Sequence, residues 1–116
     1  MKKILVLLFL SVSLFSFADP EEIVLNPSGP QKDRNDFPPL VYYDSTFQQI
    51  IIDGTGISDY YDVTIESAAI SSVVISTQVD GSYDTIDISS LTADDYIITI
   101  TSTNNNVFEG QFCIEE

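Results

Sequence analysis

The chain has 116 residues with 18 acidic and four basic side chains, no histidine, no tryptophan and one cysteine. Without histidine, Ser-His-Asp and Cys-His nucleophilic systems lack their base, and zinc loses its commonest nitrogen ligand. A lone cysteine excludes both an internal disulfide and a thiolate metal cluster, so packing alone must hold the fold.

Met1-Lys2-Lys3 followed by an apolar run from Ile4 to Phe17, ending on Ser16-Phe17-Ala18, has the order of a secretory leader. The run is too short and too broken by serine for a bilayer span. Cleavage after Ala18 would leave 98 of the 116 residues and remove Lys2 and Lys3, taking the net charge from −14 to −16. Such a chain is expected in the periplasm, on the cell surface or outside the cell. Its charge disfavours nucleic acid and anionic lipid and suits basic protein patches or divalent cations.

Residues 19–39 hold all five prolines, Pro20, Pro27, Pro30, Pro38 and Pro39, together with Lys32 and Arg34. Proline fixes φ and removes a donor, which predicts a tether; within it the apolar island Ile23-Val24-Leu25 could dock as an edge strand. From Leu40 to the end, residues 40–116, proline is absent and β-branched and aromatic residues alternate with polar ones. The pattern predicts seven strands, near 40–44, 48–53, 60–67, 72–79, 83–89, 96–102 and 107–114. Tyr61, Val63 and Ile65, then Ile86 and Ile88, then Tyr96, Ile98 and Ile100 recur with a period of two, so each strand buries one face. No window shows helical spacing of apolar residues. Seven short antiparallel strands separated by turn signals predict an all-β, immunoglobulin-like sandwich.

Leu91-Thr92-Ala93-Asp94-Asp95-Tyr96 reads as the corner before the sixth strand, where a tyrosine hydroxyl returns to the preceding backbone. Leu91 and Tyr96 are therefore assigned structural roles. The leader, the proline-bearing segment, the run "LTADDYIITIT" and the ending "FEGQFCIEE" together resemble a family of small secreted immunoglobulin-like proteins of unknown function from gut Bacteroidetes. The family pattern, Leu-x-x-Gly-x-Tyr-x-(Ile/Val)-x-Ile and then Gly-x-Phe-x-(Ile/Val), is matched by Leu91, Tyr96, Ile98, Ile100, Gly110, Phe112 and Ile114. Asp94-Asp95 stands where the family has a glycine. Sorting domains of the type IX secretion route share the closing rhythm, but they end in basic residues, and this chain ends Glu115-Glu116.

Three chemistries are worth weighing. The stretch "IIIDGTGIS" approaches the Asp-Thr-Gly of aspartic proteases, yet Gly54 separates Asp53 from Thr55 and puts the motif out of register; a glycine-rich loop accounts for it. In the expected topology the loops carrying Asp53, Asp59, Asp80, Asp84, Asn104 and Asn105 share one end, and their oxygens could supply calcium. The same residues are also those that turns prefer. Tyr42-Tyr43 and Tyr60-Tyr61 are adjacent pairs, so one of each faces outward; Tyr42 and Tyr60 are the candidates for gripping a protein or stacking on a glycan. Cys113, between inward Phe112 and Ile114, is expected to face outward or toward a neighbouring element, as a quiet buried thiol or an intermolecular disulfide. The residues thus predict an exported, non-enzymatic binding module, with no cofactor unless calcium. The alternative is an assembly protein, in which Ile23–Leu25 of one copy adds to the sheet edge of another.

Overall fold

A computed structural model describes residues 19–29, 37–54 and 58–115. The leader and the two basic residues Lys32 and Arg34 lie outside these. The described residues form nine strands and no helix: β1 (Glu21–Ile23), β2 (Asn26–Pro27), β3 (Leu40–Asp44), β4 (Gln49–Asp53), β5 (Tyr60–Ser67), β6 (Ser72–Asp80), β7 (Tyr83–Asp87), β8 (Asp94–Ser102) and β9 (Val107–Ile114). They make two antiparallel sheets with orders β1-β3-β4-β7 and β2-β9-β8-β5-β6. This is an immunoglobulin-like sandwich. The seven strands after residue 40 fall where alternation predicts them, to within two residues at each end.

The sheets meet through every second side chain. Val41, Ile50, Ile52 and Ile86 from the four-stranded sheet face Tyr61, Val63, Ile65, Ile98 and Ile100 from the five-stranded one, and all are buried. Complete burial of one such side chain contributes roughly 1.5–3 kcal/mol, and isoleucine and valine suit the pleat because their χ1 is already restricted.

Tyr96 is 2 % exposed and donates its hydroxyl to the Thr92 carbonyl at 2.6 Å. Its ring stacks on Phe112 at 5.5 Å between centroids, and Leu91 packs against the core beside it. Where the family pattern has glycine, Asp94 instead accepts from Ser67 Oγ at 2.6 Å and from the Asp95 amide at 2.7 Å. The bond from Ser67 joins the start of β8 to the end of β5.

The proline-bearing segment contributes more than a tether. β1 pairs with β3 at the edge of one sheet, and β2 pairs with β9 at the edge of the other. Residues 21–27 therefore cross from sheet to sheet as a strap along one open side of the sandwich. Pro27 is tolerated because β2 is an edge strand with only one neighbour to satisfy. Ile23 is 4 % exposed and enters the core, facing Gly110 of β9. A Cβ at residue 110 would lie 2.7 Å from Ile23 Cγ2, 2.9 Å from the Val24 carbonyl oxygen and 3.0 Å from Leu25 Cδ2. Only glycine leaves room for the strap to lie against the sheet.

Two stability changes follow from this packing. Tyr96→Phe should cost about 1 kcal/mol in urea unfolding, the net value of one hydrogen bond. Gly110→Ala should cost about 1–3 kcal/mol through overpacking and, in limited proteolysis, expose residues 21–27 to cleavage before the rest of the domain.

Candidate functional site

Three parts of the molecule carry the residues singled out by sequence: the loop end, the outer sheet faces, and the neighbourhood of Cys113.

At the loop end, Gly54, Ser58 and Asp59 do come together with segments 80–82 and 103–106, and backbone and hydroxyl groups join them. The Gly54 amide donates to the Ser82 carbonyl at 2.8 Å and the Gly81 amide to the Asp59 carbonyl at 3.0 Å. Ser58, 2 % exposed, donates its hydroxyl to the Tyr60 carbonyl at 2.6 Å, lies 2.9 Å from Thr103 Oγ1, and accepts from the Thr103 amide at 3.0 Å. Gly81 passes so close to Ser58 that a Cβ would overlap the Ser58 carbonyl.

The calcium candidates are engaged locally. Asp80 accepts from the Ser82 amide at 2.7 Å, and Asp84 accepts from the amides of Asp80 at 3.0 Å and Thr85 at 2.8 Å. These bonds close the β6–β7 turn that carries the chain from one sheet to the other. Asp53 sits in β4 opposite Tyr83, whereas Asp59 reaches the turn through its backbone carbonyl. Asn105 takes φ +65° in the β8–β9 turn and donates its amide to the Ser102 carbonyl at 2.9 Å. Asn104 is its exposed neighbour in that turn. Among the described residues, no group of three or more histidine, cysteine, aspartate or glutamate side chains is gathered for a metal.

Each tyrosine pair splits as strand geometry requires, with Tyr43 and Tyr61 inward and Tyr42 and Tyr60 outward. The outward two do not converge: Tyr42 is on the outer face of the four-stranded sheet and Tyr60 on that of the five-stranded sheet. On the face carrying Tyr42, register sets two cross-strand rows side by side. One is Glu22, Tyr42, Ile51 and Thr85; the other is Leu40, Asp53 and Tyr83. Leu40 is 47 % and Tyr83 57 % exposed. Sequence reasoning passed over Leu40 and Tyr83. The signal for Tyr83 was present, because it has the parity opposite to buried Ile86 on β7; what sequence alone lacks is the register that sets it beside Tyr42.

Cys113 is exposed on the outer face of β9, opposite Asp95 of β8. The buried alternative therefore gives way to the outward one that strand parity implies. Its hydrogen bond to the Asp95 carboxylate raises the thiol pKa, helped by desolvation and by the charges of Asp95, Glu115 and Asp94. Nearby, a cleft of about 250 Å³ is lined by Glu21, Tyr43, Phe112, Cys113 and Glu115 among others. Burial there raises the Tyr43 pKa, with Glu21 adding to the effect.

No family model matches the sequence, and no curated protein matches it. Among solved structures the chain is similar to a DUF3244 family protein with an immunoglobulin-like β-sandwich fold from Bacteroides vulgatus, whose crystal structure is at 1.70 Å resolution. The TM-score is 0.68 at 22% sequence identity, over 84% of this chain and 100% of that one. At that identity the likeness is one of fold.

A raised thiol pKa leaves less thiolate at any given pH, and thiolate is the reactive form. Iodoacetamide at mildly alkaline pH should therefore modify Cys113 more slowly than the same cysteine in the urea-unfolded chain. Asp95→Asn should speed the reaction of the folded protein several-fold, read by intact-mass time courses.

Proposed function

We propose that this chain is an exported, non-enzymatic immunoglobulin-like module that binds a basic protein segment on the outer face of its four-stranded sheet. The observation that carries the reading is the composition of that face. Exposed Leu40 and Tyr83, with half-buried Tyr42 and Ile51, supply apolar and aromatic contact area. Glu22, Asp53 and Asp87 stand among them on the same side of the sheet.

The charge around the face points the same way. Among the described residues there is no lysine or arginine, so these carboxylates have no basic partner of their own there. Aromatic rings offer rigid contact surface at low entropic cost, and a tyrosine face attracts lysine and arginine. An extended basic segment would meet both. The lack of histidine anywhere in the sequence removes the commonest general base and supports a binding role over a hydrolytic one.

The reading is checked by passing the mature chain over immobilised lysine- and arginine-rich peptides and over a glycan array. Basic peptides should be retained, less so as salt rises. Tyr83→Ala and Tyr42→Ala should each weaken retention about tenfold, as loss of an interface aromatic does, while Tyr60→Ala, on the opposite face, should leave it unchanged. Retention by neutral glycans alone, insensitive to salt, would replace the basic partner with a sugar.

A further inference from the structure

We propose that β6 is a self-association edge, on which a second copy of the chain adds its own β6 antiparallel to form one continuous ten-stranded sheet. Four strands bound the two sheets, and three of them are blunted. β1 has three residues, two of them glutamate; β2 has two, one of them proline; β7 has five, with Asp84 and Asp87 among them. Short length, charge and proline are the devices that keep a sheet edge from recruiting another strand.

The fourth edge has neither short length nor proline nor charge along most of it, and its one such device is a bulge near its start. β6 has nine residues, no proline and no charged side chain before Asp80, and all but Ile75 and Val79 are exposed. A bulge where Ile65 and Glu66 of β5 face Ile75 and Val73 leaves Val74 as the extra residue. From Ile75 to Asp80 the ladder is regular, with one side paired to β5 and the other open. Exposed Ile70, Val73 and Val74 lie at the same end of this hairpin.

Charge decides where a second copy can dock. The molecule is acidic throughout, so two copies repel wherever carboxylates meet, and they can approach most closely along an uncharged strand. With Thr77 on the two-fold axis, Ser76 of each copy opposes Gln78 of the other and Ile75 opposes Val79. The regular pairing ends at Ile75 and Val79, Asp80 lies beside the bulge at Val74 of the second copy, and no carboxylate on the paired strands faces another. The arrangement is isologous and closes at two copies. The N-terminal strap plays no part in it, being paired to the sheets of its own chain.

Sedimentation of the mature chain from micromolar to near-millimolar concentration tests this. A monomer–dimer equilibrium is expected, and added salt should strengthen it by screening the acidic surfaces, the reverse of its effect on a basic partner. Thr77→Glu sets two carboxylates face to face and should weaken the dimer by at least about tenfold, while Thr77→Val should preserve it. Thermal melts of both variants establish that they fold, and Ser76→Glu serves as a second charged probe should Thr77→Glu melt early. A chain monomeric at every concentration, or a dimer untouched by a folded Thr77→Glu or Ser76→Glu variant, would overturn the proposal. So would loss of the dimer in a deletion of residues 19–29 whose thermal melt shows that it still folds, which would mean exchange of the strap instead.

Discussion

The structure rests on the contact between two inner sheet faces dominated by β-branched residues, with Tyr61, Tyr96 and Phe112 among them. One cysteine means that no covalent bridge joins the sheets, and a strongly acidic surface adds repulsion that favours expansion. Dispersion and apolar burial across the layer of Ile50, Ile52, Ile65, Ile98 and Ile100 must offset both.

Alternation made most of this layer legible. Tyr61, Val63 and Ile65, or Tyr96, Ile98 and Ile100, announce their strands because each lies in a sheet with one wet face, so the polar residues between them mark the period. The corner at Tyr96 was legible for a similar reason: an apolar residue, a small polar bend and a tyrosine leave few other arrangements. The strap was not. Residues 21–27 show no period, and what holds them in place is distant in sequence, a missing Cβ at Gly110 and an open sheet edge beside it.

The candidate surfaces show the same division. Parity along a strand says which tyrosine of a pair faces out, and it does so correctly for Tyr42 and Tyr60. It cannot say that these two look in opposite directions from the sandwich, because that depends on which sheet each strand joins. The acidic loop residues illustrate another limit. Asp80 and Asp84 have side chains that would suit a cation and that equally suit a neighbouring amide; here they accept from Ser82, Asp80 and Thr85, a choice made by turn geometry that composition leaves open.

Pairing of β2 with β9 also bears on the order in which the protein can be completed. Asn26 opposes Glu109 and Pro27 opposes Phe108, so an element near the beginning of the chain finds its partner only at the end. A ribosome delivers residues from the amino terminus onward, so this pairing cannot form before residues 108 and 109 have been made. That sheet edge can close only when β9 is present, and a chain lacking β9 would leave Ile23 without the Gly110 surface it packs against.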